Sequence, residues 1–218
     1  DVFDFHWYGT ATNAYRIQDA AATNAPPVDV LEAMRDKLAT NGFPRGLPIW
    51  CTETSSYNGD PKDAEVLVFP WQSERLQALD YCKRLIVPLA RGVGKVFVAW
   101  QIMDDYGMSG ETNGYFDHTG LIYSGRNTGD LALGVRKLSY FTFKKTVETF
   151  GQVNWRTLTN LHAGAGSDEL FLYRVQDGAG ASRYAAWWDY YNDPLYTNGA
   201  TATLVVTGLT GTAIAVTE

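Results

Sequence analysis

The chain has 218 residues, of which 45% are hydrophobic and 14% aromatic, enough for one sizeable core or for one domain with a small appendage. Its net charge of -6, with no run of Lys and Arg, argues against nucleic acid or an anionic membrane as the main partner. No apolar run is long enough to span a membrane, and no segment has the order of a signal peptide. We therefore expect a globular protein whose ligand is neutral or small.

Strand and helix patterns alternate over the first 150 residues. In chain order they are a strand at 2–8, a helix at 28–42, a strand at 47–53, a helix at 73–94, a strand at 95–101 and a helix at 130–151. Gly42 is placed to end the first helix and Ser73 to cap the start of the second. The apolar positions at helical spacing are Leu31, Met34 and Leu38 in the first helix and Leu76, Leu79, Cys82, Ile86 and Leu89 in the second. This alternation predicts parallel strands with crossover helices.

The pattern changes after Gly151, where short alternating runs are separated by Gly, Asn and Asp turns. Such runs are typical of a small antiparallel sheet or sandwich. We therefore predict two domains, an α/β domain over residues 1–150 and an all-β domain over residues 151–218. Because the sequence begins without methionine and already inside a strand pattern, we expect it to be the interior of a longer protein.

The chain shows no recognisable metal or cofactor motif. Cys51 and Cys82 form neither a CxxC pair nor a Cys/His cluster, and we predict that they are not bonded to each other, since one lies on a strand and the other on an outer helix. No cofactor and no metal are predicted. Asp104 and Asp105 are expected to hydrogen-bond the neighbouring loop, the alternative being a metal pair, which would need further ligands. His118 and His162 are interpreted as loop residues.

The segment PIWCTETSSYNGD, residues 48–60, places the acidic residue Glu53 at the end of an apolar run. A carboxylate is seldom fully buried unless it is paired or functional, so Glu53 is either an incidental loop residue or a functional group. Strict alternation puts three sets of residues on shared strand faces: Asp4, His6 and Tyr8; Ile49, Cys51 and Glu53; and Val96, Val98 and Trp100. Active sites of parallel α/β folds lie at the carboxyl ends of the strands. The carboxyl end of each of these three strands carries one candidate residue or pair.

The motifs DFHWYG, PIWCTETS and VFVAWQIMDD, in this order, resemble strands six, seven and eight of the retaining glycoside hydrolases of the clan A barrel type. The stretches TGLIYSG and LSYFTFKKTVETFGQ are similar to the end of such enzymes, where the last barrel helix leads into a small β domain. The resemblance covers nearly the whole chain. It implies an α/β fold, namely the C-terminal part of a (β/α)8 TIM barrel followed by a small antiparallel β-sandwich domain.

The resemblance also implies roles for individual residues. Glu53 would be the nucleophile that attacks the anomeric carbon, and Tyr8 would contact Glu53 and keep it ionised. His6 would bind a sugar hydroxyl or orient a neighbour, and Trp100 would form the floor under the sugar ring. Further aromatic residues in or beside the strand-end loops would widen that platform: Trp7, Trp71, Tyr106 and Tyr115.

The family's general acid/base is a Glu that follows an Asn at the end of strand four, and this chain contains no counterpart. Three strands with open edges and an uncovered inner face need a partner, so beside a carbohydrate substrate we expect the missing N-terminal barrel segment or a second copy of the chain. The alternative is a non-catalytic carbohydrate-binding or structural module in which Glu53 is incidental. The cysteines leave the compartment open, and the resemblance favours a secreted or periplasmic enzyme.

Overall fold

The computed structural model describes residues 1–8, 14–19, 28–62, 70–98, 101–107, 113–127, 129–163, 169–189, 203–206 and 209. The elements run in the order β1 (Phe3–Trp7), β2 (Gln18–Asp19), β3 (Val28–Asp29), α1 (Val30–Thr40), β4 (Ile49–Thr54), α2 (Glu74–Ala90), β5 (Lys95–Val98), α3 (Leu138–Phe150), β6 (Val153–Ala163), β7 (Leu170–Asp177) and β8 (Ser182–Trp188). Short 3-10 helices span Ala14–Arg16 and Tyr115–His118. Among these described elements, no helix is long and apolar enough to cross a membrane.

The first half of the chain contains a parallel sheet with the strand order β1-β4-β5. Along the sequence, α1 lies between β1 and β4, and α2 lies between β4 and β5. The predicted parallel strands with crossover helices are therefore confirmed. Within the described ranges β1 and β5 are the edges of this sheet, and its closure into a barrel stays a prediction.

The helix ends follow the signals in the sequence. The Ser73 side chain accepts a hydrogen bond of 3.2 Å from the Leu76 amide at the start of α2, as predicted. Asp29 caps α1 in the same way, accepting from the Glu32 amide at 3.1 Å. Gly42 follows the last residues of α1 with a φ of 84°, the left-handed conformation that glycine adopts without strain.

The two crossover helices differ in what they bury. The predicted apolar face of α1 is confirmed, because Leu31 is buried and Met34 and Leu38 pack against the same cluster. In α2, however, Leu79 is exposed. The buried side chains of α2 include four polar or charged ones, Gln77, Asp80, Lys83 and Arg84. This helix contacts β5, α3 and β6. The predicted apolar stripe is therefore only partly the buried face of this helix, because its Leu79 is exposed while polar side chains are buried.

Strands β6, β7 and β8 form an antiparallel sheet, as predicted for the chain after Gly151. Its inner face packs on α2, where Trp187 stacks on Phe171 with ring centroids 5.1 Å apart. Most of the two last predicted strand runs, at 201–208 and 212–218, lies outside the described residues, and residues 203–206, which are described, are not in a strand. A second layer, and with it a sandwich, therefore stays a prediction.

A buried carboxylate joins this sheet to the first half of the chain. Asp189 follows β8 and accepts hydrogen bonds from the Tyr15 hydroxyl and the Lys83 ammonium group. Arg16 lies 3.2 Å from the same carboxylate. Because buried charges are tolerated only when they are paired, this cluster holds α2 and the antiparallel sheet in one arrangement.

Candidate functional site

Strand β4 carries a β-bulge immediately before Glu53. Phe5 of β1 is paired with Cys51, but the next residue, His6, is paired with Glu53, so Thr52 has no partner in β1. The register between β4 and β5 is irregular over the same residues. One inserted residue turns every following side chain to the opposite face of the sheet.

The bulge separates Glu53 from the residues that alternation placed beside it. Ile49 and Cys51 are buried with Leu31 of α1 on the helix-covered face. Glu53 is paired with His6, whose side chain is 51% exposed on the open face. The prediction that Ile49, Cys51 and Glu53 share one face is therefore wrong, because strict alternation cannot account for an inserted residue.

The strand faces also bear on two further predictions: Val96 and Val98 share one face, as predicted, whereas Trp7 lies apart from Glu53. Val96 and Val98 pack on the helix-covered face, Val98 against Tyr81 of α2. Trp7 packs against the cluster around Leu31, which places its ring on the face opposite to Glu53. Trp7 is therefore not part of the platform beside Glu53. Trp100 lies outside the described residues.

The carboxylate of Glu53 contacts two side chains, that of His6 in β1 and that of Tyr8, which follows β1. The Tyr8 hydroxyl donates to Glu53 Oε2 at 2.8 Å, which confirms the predicted contact between these two residues. His6 Nδ1 lies 3.2 Å from the same oxygen, and the Glu53 side chain remains 21% exposed. Among the described residues no hydrogen bond reaches Oε1 of Glu53. Within the described ranges the hydrogen bond from the protein therefore reaches Oε2 alone.

Tyr8 is held by aromatic packing from the loop after β5. Its ring meets Phe116 edge-on at 5.3 Å and Tyr115 at 5.9 Å. Burial, together with the hydrogen bond and the charge of Glu53, raises the pKa of Tyr8 well above its usual range. The phenol therefore stays protonated and remains a donor to Glu53 near neutral pH.

The other predicted platform residues have different surroundings. Tyr115 is buried beneath Tyr8 and donates to the Ser55 carbonyl at 3.3 Å, so it supports the site from behind. Tyr106 and Trp71 are exposed, on the loops after β5 and β4 respectively. Within the described part of the chain neither of these two residues contacts Glu53.

A buried lysine holds the loops around the site together. Lys137 Nζ donates to Asp104 Oδ1 and to Asn58 Oδ1, both at 2.6 Å, and to the His118 carbonyl at 3.2 Å. Asp104 also accepts from the Gly120 amide at 2.7 Å, so the predicted loop contact of Asp104 is confirmed. Burial raises the pKa of Asp104 to about 6, and the nearby Lys137 opposes this shift.

The two histidines interpreted as loop residues are part of regular structure. His118 is buried in a 3-10 helix, its Nε2 lies 2.6 Å from Asn113 Oδ1, and its pKa is lowered by burial and by Lys137. His162 lies in β6. Cys51 and Cys82 are free thiols, as predicted, although Cys51 lies on the helix-covered face.

Arg84, which the sequence pattern did not single out, lies in α2 behind the site and contacts the ends of β1 and β4. A signal for it was present, since Asp80 and Arg84 are four residues apart on a helix and face the same side. Charged residues on a helix are usually solvated, and only the fold shows that this pair is buried. Across the described ranges no group of three or more His, Cys, Asp or Glu side chains is placed to hold a metal ion.

Comparison with known proteins does not assign the chain to a family. No protein-family model matches the sequence, and no curated protein matches it.

Proposed function

We propose that this chain supplies the nucleophile half of a retaining glycoside hydrolase, with Glu53 as the nucleophile and Tyr8 and His6 as its partners. The observation that carries the proposal is the Glu53 carboxylate at the carboxyl end of a parallel strand, bound through Oε2 to Tyr8 at 2.8 Å. His6 approaches the same oxygen, and the side chain stays partly open to solvent. A carboxylate held by a donor on one oxygen, with no hydrogen bond to the other among the described residues, suits attack on a sugar carbon.

In the proposed reaction Oε1 of Glu53 forms a bond to the anomeric carbon as the bond from that carbon to the leaving-group oxygen breaks. A general acid protonates the departing oxygen, and water later releases the sugar from Glu53 with net retention. Tyr8 and His6 hold Oε2, so the attacking oxygen keeps one orientation. The exposed His6 ring is also placed to bind a sugar hydroxyl.

We expect the general acid to be supplied by a segment other than these three strands. In retaining enzymes the two carboxyl groups lie about 5–5.5 Å apart, so the missing Glu must approach Glu53 from the open face of the sheet. We propose that an N-terminal barrel segment of a longer polypeptide, or a second copy of the chain, brings it there. The flat ring of Trp100 is assigned to the sugar platform by the family resemblance alone.

A labelling experiment tests the nucleophile without the missing acid. In fluorinated glycosyl fluorides, fluorine replaces the hydroxyl beside the anomeric carbon, and the anomeric fluoride leaves with its electron pair and needs no proton. The carboxylate of Glu53 should form an ester with the sugar, which peptide mass spectrometry locates. A panel of common pyranosyl fluorides in both anomeric forms covers the unidentified sugar.

The expected result is one sugar on the peptide that contains Glu53, and no label in Glu53→Gln. Glu32→Gln is the matched control, because Glu32 is an exposed glutamate on α1 and its loss should leave labelling unchanged. Label on another carboxylate would remove Glu53 from its role as nucleophile.

The alternative function is a carbohydrate-binding module, and one observation favours it: the described residues bring a single carboxylate, Glu53, to Tyr8 and His6. Glycan binding that survives Glu53→Gln, together with an absence of labelling by every glycosyl fluoride, would support the module and contradict the enzyme. Glycan arrays and calorimetry measure that binding.

A further inference from the structure

Arg84 makes the most extensive buried polar contacts next to the site. It is 2% exposed, and its Nη1 donates to Thr54 Oγ1 at 2.8 Å, to the Trp7 carbonyl at 3.3 Å and to the Tyr8 carbonyl at 3.4 Å. Its Nε donates to Asp80 Oδ2 at 2.6 Å, one turn earlier in α2. A single guanidinium group therefore bridges the carboxyl ends of two neighbouring strands and is itself held by a buried carboxylate.

The acceptors of Arg84 are the immediate neighbours of the two site residues. Thr54 follows Glu53 in β4, and the carbonyl of Tyr8 belongs to the residue that donates to Glu53. The bulge at Thr52 interrupts the regular register between β1 and β4 at this level. Arg84 adds side-chain hydrogen bonds between the strands just beyond the point where the register is irregular.

We propose that Arg84 is a positioning residue that sets the contact between the Tyr8 hydroxyl and Glu53 by fixing the ends of β1 and β4 to α2. Its planar group presents donors in a fixed fork, which a lysine cannot reproduce. The catalytic consequence rests on the proposed function, but the geometric role can be measured without turnover.

Arg84→Lys keeps the positive charge and removes the fork. The readout is the ionisation of Tyr8, followed by NMR of the full chain with tyrosine labelled at the ring carbon that bears the hydroxyl. The Tyr8 signal is assigned with Tyr8→Phe. Its ionisable neighbours, Glu53, Cys51 and Tyr115, are unchanged in the variant.

If Arg84 positions Tyr8, its loss opens the ring to water and weakens the contact with Glu53. The pKa of Tyr8 should then fall towards the ordinary value of a phenol. If Arg84 acted through its charge alone, the pKa of Tyr8 would not fall in Arg84→Lys, because lysine keeps the charge. Loss of a nearby cation would instead raise the pKa of a phenol. An unchanged or raised pKa of Tyr8 in Arg84→Lys would therefore overturn the proposal.

Two controls separate positioning from general loosening. Tyr173 of the antiparallel sheet, whose pKa burial raises to about 12, is the internal reference and should not change. Arg35→Met removes a guanidinium group that donates to the Arg91 carbonyl at 3.1 Å, in the turn after α2, and should leave Tyr8 unaffected. A parallel fall at Tyr8 and Tyr173 would mean that Arg84 acts only on overall stability, and would contradict the proposal.

A milder variant covers the case in which Arg84→Lys does not fold. Thr54→Val keeps the side-chain shape and removes one acceptor, so the pKa of Tyr8 should fall in the same direction by a smaller amount. An unchanged Tyr8 signal in this variant would count against the proposal.

Sugar labelling of Glu53 then tests the link to chemistry. Misplacement of a reacting group by about 1 Å costs on the order of 100-fold in rate, so labelling of Arg84→Lys should be slower by about 10- to 100-fold. Wild-type labelling rates in a variant with an altered Tyr8 signal would overturn that link. Failure to label the wild-type chain would end the proposed function and leave the Tyr8 measurement valid.

Discussion

Replacing Lys137 by methionine is the most informative test of how the loops around the site are held. Lys137 is fully buried, and its ammonium group joins Asp104, Asn58 and the His118 carbonyl. Methionine fills most of the volume but donates no hydrogen bond. Among the described residues Asp104 would keep only the Gly120 amide as a donor, since no hydrogen bond from them reaches its Oδ2 even in the wild type.

The expected cost follows from leaving a buried carboxylate without its cation. Breaking a buried ion pair by removing one partner costs about 3–5 kcal/mol. At about 2–4 °C per kcal/mol for a chain of this size, the unfolding midpoint should fall by about 6–20 °C. Lys144→Met is the matched control, because Lys144 lies in α3 with a 61% exposed side chain and a partner, Glu148, at 3.7 Å. Its substitution should cost about 0.5 kcal/mol or less.

The loss of stability should depend on pH in a defined direction. Burial raises the pKa of Asp104 to about 6 from 3.8, and Lys137 limits this shift, so the variant raises the pKa further. An acid whose folded-state pKa is raised favours folding at low pH, and this contribution is lost as the pH rises through the folded pKa. The deficit of Lys137→Met should therefore be smaller at about pH 5 than at about pH 8.

Urea unfolding of the wild type, Lys137→Met, Asp104→Asn and the double variant measures the coupling. Because both residues belong to one network, the double variant should cost less than the sum of the single ones by about 1 kcal/mol or more. Additive costs, or a Lys137→Met deficit no larger than that of Lys144→Met, would show that the buried pair does not hold these loops.

Three further predictions concern packing, charge and thiols. Gly120→Ala should lower the free energy of unfolding by about 1–3 kcal/mol or more, because a Cβ there overlaps the backbone of the loop after β5. Gly46→Ala is the control in the same urea titration, because no atom of the described residues lies within 4 Å of a Cβ at Gly46. Asp189→Ala should cost about 3–5 kcal/mol, since it leaves the buried Lys83 ammonium group without its ion-pair partner, and a cost below about 1 kcal/mol in thermal unfolding would contradict this. Thiol titration of the unreduced chain should count Cys51 and Cys82 when it is unfolded, and in the native state Cys51 should react slowly, because it is buried and burial raises its pKa to about 11.

Local features of the fold follow from the sequence. Ser73 and Gly42 mark helix ends because caps depend on residues within one turn of each other. The alternation of strands and helices predicts the parallel sheet, since parallel neighbours need crossovers. The contact between Tyr8 and Glu53, which the family resemblance implied, is present as well.

Other features depend on partners that are distant in the sequence. The bulge at Thr52 is defined by pairing with β1, and without it alternation puts Glu53 on the wrong face. Arg84 is buried because it meets the ends of two strands, and its own helix pattern gives no measure of that environment. Periodicity reports the local conformation of a segment, but the number of residues between paired positions and the surroundings of a charge are decided only when the elements pack together.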